Sequence, residues 1–233
     1  MGTLYLVRHG QAPAHAYAYG PDGATAGAES AGPGLTDLGF AQARHTGREL
    51  ARQVDGFDAA VSGGLPRQQD TLRSVLEAFD APPEHVVDPG WDEYDIPQLF
   101  ANPEDQAPSP AVTGLGADFQ RVLDAALARW VDGELAADYS YADYVARIAA
   151  SADAAADLAG PGEKVLVVSS AGTITALIAQ LWGVPGAQWP VLARTMVNAS
   201  ITKIIVGRSG LTVVSINEHG HLAQLGDKLA TFR

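Results

Sequence analysis

The chain has no cysteine among its 233 residues, which excludes disulfide bonds and thiolate metal sites. It also lacks long hydrophobic runs, so we expect no membrane-spanning segment. Basic residues are scarce: 15 Lys and Arg stand against 27 Asp and Glu, for a formal net charge of −12. This imbalance disfavours nucleic acids and anionic membrane surfaces as partners, because both are polyanionic. A small anionic ligand held by a local cluster of arginines remains compatible with it.

The residues that are present have the composition of an ordinary globular protein, with 47% hydrophobic and 18% charged side chains. The sequence shows no internal repeat and no linker that would split it, so we expect one domain over residues 1–233. It begins with an apolar strand rather than a basic segment and a hydrophobic stretch, which favours a cytoplasmic location.

Strand-like apolar segments alternate with helical periodicities along the chain. Short strands are predicted at 4–7, 59–62, 86–87 and 165–168, and helices at about 36–54, 67–79, 122–130, 141–155 and 172–182. Two more strands, 201–206 and 211–216, flank Gly207-Arg208-Ser209-Gly210 and predict a C-terminal hairpin. The alternation predicts a layered α/β fold.

Two long segments interrupt this alternation. Residues 12–34 form a loop rich in Ala, Gly and Pro, and 96–116 carries four prolines and is predicted to be an irregular insertion. Loops of this length in a compact domain are usually functional or mobile. The insertion directly follows an acidic segment, so it could be a lid over a leaving group or a passive surface excursion.

The most informative stretch is Leu6-Val7-Arg8-His9-Gly10, where an apolar strand ends in an arginine, a histidine and a glycine. Open α/β sheets bind ligands where strands end. A neutral imidazole can attack phosphorus, and a neighbouring guanidinium can hold phosphoryl oxygens in a planar fork. On its own, the tripeptide is also compatible with a salt-bridged arginine and a histidine satisfied inside the protein.

Further motifs follow in order along the chain. They are Leu35-Thr36-Asp37-Leu38-Gly39, Ser62-Gly63-Gly64-Leu65-Pro66-Arg67 with Thr71, Trp91-Asp92-Glu93-Tyr94-Asp95, Asn198-Ala199-Ser200-Ile201-Thr202 and Asn217-Glu218-His219-Gly220-His221-Leu222. With the opening motif they cover most of the chain, which resembles the histidine phosphatase superfamily. The resemblance implies a phosphoglycerate-mutase-like fold: a three-layer α/β/α sandwich with a mostly parallel central sheet.

The resemblance also implies a reaction, the metal-independent hydrolysis of a small phosphorylated substrate without a cofactor. His9 would attack phosphorus to form a phosphohistidine, while Arg8 and Arg67 would clamp the phosphoryl oxygens. We expect Glu93 to protonate the leaving oxygen as the general acid, with a pKa raised by burial. Asp92 and Asp95 are alternatives on the same segment, although we expect both to lie in a solvated loop.

Directly after the predicted strand at 165–168, the sequence departs from the family pattern. Ser170 stands where the family carries a second histidine, and Ala171 stands where a glycine follows; we expect both at the phosphate site. Serine can donate a hydrogen bond but carries no charge, and losing one preorganised donor typically costs on the order of 10²–10³ in rate. The enzyme could be slow, or His15, His219 or His221 could compensate. The site could also bind a phosphorylated ligand without turnover.

A second departure is the spacing from Ser62 to Arg67, which is one residue longer than the family pattern. The two departures could belong to one rebuilt pocket. A phosphoglycerate-type phosphomutase is a further alternative, which the altered pocket disfavours because a mutase must retain the phosphoryl group and exclude water. An exposed terminal hairpin could also pair two subunits into a homodimer.

Overall fold

The computed structural model describes residues 1–13, 34–95, 99, 117–135, 139–223 and 229–232. Within them, the strands are β1 (Gly2–Arg8), β2 (Ala59–Ser62), β3 (His85–Val87), β4 (Lys164–Ser169), β5 (Ile201–Gly207) and β6 (Gly210–Glu218). The α-helices are α1 (Asp37–Gln53), α2 (Pro66–Leu76), α3 (Ala117–Val131), α4 (Tyr141–Asp157), α5 (Ala171–Trp182), α6 (Trp189–Thr195) and α7 (Gly220–Ala223). Nearly all of the predicted loop at 12–34 and of the insertion at 96–116 lies outside the described residues.

The strands form one sheet in the order β3-β2-β4-β1-β5-β6. β4 pairs in parallel with both β1 and β2, and β2 pairs in parallel with β3, whereas β5 is antiparallel to β1 and β6. The sheet is therefore mostly parallel, as predicted. Val165 to Val168 in the central strand β4 are 0% exposed, which explains their continuous apolar run.

Helices cover both faces of this sheet. On β1, Leu4 and Leu6 pack into a core with side chains of α3, α4 and α5. Tyr5 and Val7 point to the other face and pack with α1 and α2. The alternation of side chains along a strand thus builds two hydrophobic cores around one sheet. This is the predicted three-layer α/β/α sandwich.

Most of the predicted boundaries are close to those observed. Thr36 caps α1, and its Oγ1 accepts a hydrogen bond from Gly39 N at 3.0 Å. α5 ends at Gly183, whose φ of 64° is left-handed and favours glycine. The short helices α6 and α7 were not predicted, because their few turns carry too little periodicity. No helix in the described part of the chain is long and apolar enough to cross a membrane.

The parallel strands place three chain turns at the same edge of the sheet. Arg8 at the end of β1 is in register with Ser169 at the end of β4, and Ser62 of β2 is in register with Val168. The residues that follow these three strand ends therefore converge. They carry the opening motif, the Ser62-to-Arg67 motif and the start of α5.

Candidate active site

His9 follows the last residue of β1 and is only 2% exposed. Its Nδ1 lies 2.7 Å from the carbonyl oxygen of Gly10. Because a carbonyl only accepts, Nδ1 donates, and the neutral ring keeps its lone pair on Nε2. Burial lowers the pKa of His9 well below its ordinary value, and the charges of Arg67 and Arg8 lower it further. A lowered pKa favours the neutral ring, which is the form a nucleophile needs.

The backbone of His9 is held from two sides. Its N–H donates to the carbonyl of Ser169 at 2.9 Å, and its own carbonyl accepts from Asn198 Nδ2 at 3.1 Å. Ala199 N also donates to the carbonyls of Arg8 and His9, at 3.0 and 3.3 Å. Ala199 has a φ of 58°, a left-handed conformation that costs a non-glycine residue on the order of 1–3 kcal/mol. The motif that precedes β5 therefore serves to fix the His9 turn.

Two buried arginines flank this histidine. Arg8 is 6% exposed, and its guanidinium donates to the carbonyl of Met196. Arg67 is 8% exposed and lies in the first turn of α2. Thr71 ties that turn to the His9 loop, because its Oγ1 donates to Arg67 O at 2.7 Å and accepts from Gly10 N at 2.9 Å. Two positive charges from separate segments thus act on the His9 ring.

Glu93 is a partly buried residue whose carboxyl group lies at the start of α5. Its Oε2 accepts from Gly172 N at 3.1 Å, and its Oε1 accepts from Tyr144 OH at 3.2 Å and from Tyr94 N at 3.4 Å. Burial raises the pKa of Glu93, although Arg67 and the two backbone N–H groups oppose this shift. A raised pKa keeps more of the acid protonated, which is the state a proton donor needs.

An aromatic cluster made of Tyr94, Trp130, Tyr144 and Trp189 adjoins Glu93, to which the Tyr144 hydroxyl donates. Ring centroids lie 6.1 Å apart for Tyr94 and Tyr144, 5.3 Å for Trp130 and Tyr144, and 5.5 Å for Tyr94 and Trp189. This cluster has no signal in the sequence, since its helical members fall on ordinary hydrophobic faces. Their contact with an acid depends on how α3, α4 and α6 pack together.

The expectation that Asp92 and Asp95 lie in a solvated loop is wrong. Asp92 is partly buried, and its Oδ1 accepts from Gly64 N at 2.6 Å and from Leu65 N at 3.3 Å. Burial raises the pKa of Asp92, against the effect of these two N–H donors. Asp95 is also partly buried, and its N–H donates to Tyr139 OH at 2.9 Å. Asp92 therefore acts as a backbone acceptor that shapes the loop leading into α2.

Ser170 and Ala171 lie at the join of β4 and α5. Ser170 is 0% exposed and occupies the N-cap position, yet its side chain does not cap the helix. Its Oγ instead accepts a hydrogen bond from Gln68 Nε2 at 3.0 Å. Ala171 is 9% exposed. Sequence analysis did not single out Gln68, because one buried glutamine beside a motif carries no spacing or periodic signal.

The histidines considered as substitutes for a charged donor form other contacts. His221 Nε2 lies 2.9 Å from Thr46 Oγ1, and His219 Nδ1 lies 2.5 Å from the carbonyl of Asn217. Neither contact involves the His9 turn or Glu93. His15 lies outside the described residues. Compensation by His219 or His221 therefore gains no support from these contacts.

The sheet edge thus brings together a neutral imidazole, two guanidinium groups and a carboxyl group with a raised pKa. Such a set can hold a phosphoryl group, attack it and protonate its leaving oxygen. Within the described ranges, no three His, Asp or Glu side chains are grouped closely enough to hold a metal ion. The individual roles of Arg8, His9, Arg67, Glu93 and Ser170 remain predictions.

Solved structures share this fold across almost the whole chain. A phosphoserine phosphatase mutant from Entamoeba histolytica, in complex with phosphoserine, is 18% identical with a TM-score of 0.64, covering 95% of this chain and 100% of that one. YhfR from Bacillus stearothermophilus is 19% identical with a TM-score of 0.65, covering 94% and 98%. A mycobacterial glucosyl-3-phosphoglycerate phosphatase complexed with VO3 is 24% identical with a TM-score of 0.63, covering 94% and 100%.

These identities are low, so the structural likeness establishes the fold alone. No curated protein matches the sequence. The family comparison extends over most of the chain, because a model of the histidine phosphatase superfamily (branch 1) matches residues 4–219. The matched range includes the His9 turn, Arg67, Glu93 and the start of α5. The chain therefore belongs to the histidine phosphatase superfamily.

Proposed function

We propose that this protein is a metal-independent phosphomonoester hydrolase that forms a phosphohistidine on His9. The orientation of His9 carries the proposal: Nδ1 donates to Gly10 O, so the lone pair of the buried ring is on Nε2. Arg8 and Arg67 are the charges that act on this ring. They would neutralise a phosphoryl dianion and hold its oxygens for attack.

The reaction would proceed in two half-reactions. In the first, His9 Nε2 forms a bond to phosphorus, the bond from phosphorus to the leaving oxygen breaks, and Glu93 donates its proton to that oxygen. In the second, the Glu93 carboxylate removes a proton from water as the water oxygen attacks phosphorus. The P–N bond then breaks, which releases phosphate and returns His9 to its neutral form.

The named relatives support hydrolysis as the reaction class. Two of the similar structures are described as phosphatases, one for phosphoserine and one for glucosyl-3-phosphoglycerate. The substrate proposed here is accordingly a small phosphorylated molecule. Its leaving group would lie near the segment that follows Glu93, where the 96–116 insertion begins.

The test measures phosphate release from a panel of phosphomonoesters by the wild type and a His9→Ala variant. Acid-labile radiolabel on the protein is measured in the same reactions after rapid quenching with labelled substrate. We expect the wild type to release phosphate and to carry the label, and His9→Ala to do neither. His45→Ala is the matched control, because His45 lies partly exposed on α1, away from the strand ends.

Equal phosphate release by wild type and His9→Ala would refute the proposal. Ser170 motivates one alternative, a module that binds phosphorylated ligands without turnover. That alternative predicts saturable phosphate binding with neither label nor release. A phosphomutase would instead move the labelled phosphoryl group to a second hydroxyl of the substrate.

A further inference from the structure

Gln68 is a fully buried amide in the first turn of α2, with 0% exposure. Its Nε2 donates to Trp91 O and to Ser170 Oγ, both at 3.0 Å. Its Oε1 accepts from Leu65 N at 3.3 Å. A backbone N–H at one end and a backbone carbonyl at the other allow only one orientation of the amide. Gln68 therefore presents an N–H group to Ser170.

This orientation fixes the role of the Ser170 hydroxyl. Ser170 Oγ accepts from Gln68 Nε2, so the hydroxyl hydrogen of Ser170 points away from that amide and is oriented toward a third group. Among the residues that the structure describes, Gln68 is the one hydrogen-bond partner of Ser170 Oγ, and the hydroxyl does not cap α5. A buried hydroxyl without an acceptor carries a free-energy cost unless a bound molecule accepts from it.

The surroundings of Ser170 indicate what that molecule is. Arg8 and Ser169 are in register across β1 and β4, and His9 N donates to Ser169 O at 2.9 Å. Ser170 therefore emerges beside His9 at the same edge of the sheet. Two residues later, Gly172 N contacts Glu93 at 3.1 Å. Along the chain, Ser170 therefore stands between a residue whose backbone contacts His9 and one whose backbone contacts Glu93.

We propose that Gln68 is a positioning residue that makes the Ser170 hydroxyl a donor to the phosphoryl group bound at His9. The inference rests on the proposed function, which places the phosphoryl group there. Donation from the amide polarises the Ser170 O–H and strengthens it as a donor. Gln68 and Ser170 together thus supply a neutral hydrogen bond to the phosphoryl oxygens, in addition to the two arginines.

The experiment measures the affinity of the folded full-length protein for orthovanadate, an oxyanion probe that needs no turnover. The proteins compared are the wild type, Ser170→Ala, Gln68→Glu and the double variant. We expect Ser170→Ala to weaken vanadate binding about 10- to 100-fold, because it removes one hydrogen bond to a charged group. Ser170→Thr, which keeps the hydroxyl, should bind within a few-fold of the wild type.

Gln68→Glu reverses the polarity of the contact. A carboxylate there accepts from Ser170 and turns its hydrogen away from the phosphoryl site. We therefore expect weaker vanadate binding at high pH, with recovery as the new carboxyl is protonated. In the double variant the Gln68→Glu change should add little to Ser170→Ala, since the hydroxyl on which it acts is gone.

Gln69→Glu is the matched control. It makes the same chemical change one residue along α2, on an amide whose Nε2 donates to Gly64 O at 2.8 Å and not to Ser170. Its effect should add to that of Ser170→Ala. If Gln68→Glu does not fold, Gln68→Met takes its place in the comparison of single and double variants, because methionine keeps the volume of the side chain and removes the amide. The loss of vanadate affinity caused by Gln68→Met should also disappear in the Ser170→Ala background.

Additive losses for Gln68 and Ser170 would overturn the inference, as would unchanged vanadate affinity in Ser170→Ala. A wild type that does not bind vanadate would overturn it too. If phosphate release depends on His9 but the losses of vanadate affinity in the Gln68 and Ser170 variants are additive, only the positioning role of Gln68 is rejected. If those losses are coupled but the protein forms no phosphohistidine, only the proposed hydrolysis is rejected.

Discussion

At the residue scale, one environment moves two ionisable groups toward their neutral forms. Burial lowers the pKa of His9 and raises that of Glu93. Arg67 and Arg8 reinforce the shift on His9 and oppose the shift on Glu93. These shifts favour the deprotonated form of the proposed nucleophile and the protonated form of the proposed acid. Two groups with opposite tasks can therefore work in one pocket.

Replacing Glu93 by glutamine should separate substrates by their leaving group. We expect kcat for an alkyl phosphomonoester to fall about 10²- to 10⁴-fold, because the alkoxide needs a proton. An aryl phosphate with an acidic phenol should change little. The wild-type kcat for the alkyl ester should also fall as pH rises through the raised pKa of Glu93, and Glu93→Gln should lack this limb. Steady-state kinetics with both esters provide the measurement. Glu84→Gln is the control, because Glu84 is exposed. Equal losses of kcat for both esters would contradict the role of Glu93 as the acid.

The same substitution should change the pH dependence of stability. Glu93 has a folded pKa above its ordinary value of 4.5, so the unfolded chain releases this proton first as pH rises. The contribution of Glu93 to the free energy of unfolding is full below that ordinary value and is lost as pH rises through the folded pKa. Glu93→Gln should therefore gain stability over the wild type as pH increases. Urea denaturation at several pH values measures this difference, and a constant difference would show that Glu93 keeps its ordinary pKa.

At the element scale, the start of α5 is built around the acid. Gly172 N donates to Glu93, while the Gly172 carbonyl accepts from Trp189 Nε1 at 2.8 Å. A Cβ at Gly172 would collide with Glu93 Oε1 and lie 2.7 Å from Tyr94 Cε1. Glycine is required here by close approach, since helix propensity alone would favour alanine.

Gly172→Ala should consequently damage catalysis more than folding. We expect kcat for alkyl esters to fall on the order of 10²-fold through displacement of Glu93, with a higher ratio of aryl to alkyl activity. Gly220→Ala at the start of α7 is the control, because nothing lies within 4 Å of its added Cβ. Thermal unfolding and kinetics with both esters check the two effects. A loss of folding without a change in the ester ratio would contradict this prediction.

At the scale of the whole molecule, two cores share one sheet. Leu166 faces the core with α1 and α2, whereas Trp91, Trp130 and Trp189 lie in the opposite core. Leu166→Ala should cost about 2–5 kcal/mol of unfolding free energy, the usual range for a buried leucine. We predict one domain, so Leu166→Ala should lower two urea midpoints by the same amount. One is the midpoint seen by fluorescence of the distant tryptophans, and the other is the midpoint seen by far-UV circular dichroism.

Urea denaturation followed by both signals tests that prediction. Val191→Ala, at a side chain that is 57% exposed, serves as the control and should shift neither midpoint by much. Two separate transitions in Leu166→Ala would show that the two cores unfold independently, which would contradict a single domain over 1–233.

The predictability of the fold differs among its elements. β2 was predicted with its observed bounds, and β4 within one residue at each end, since short apolar runs mark buried strands. The β1 motif placed Arg8 and His9 at a strand end, as observed. α6 carries no pattern of its own, yet its Trp189 packs against Tyr94, the residue next to Glu93.

The sequence by itself determined the α/β class, the strand ends that carry Arg8 and His9, and the residue types needed for phosphoryl chemistry. These follow from local periodicity and from side-chain chemistry, which need no knowledge of distant contacts. Only the tertiary structure decided that Asp92 accepts from backbone N–H groups, that the Tyr144 hydroxyl donates to Glu93, and that Gln68 donates to Ser170. Those properties depend on burial and on hydrogen bonds between segments far apart in the chain, and packing alone brings such segments together.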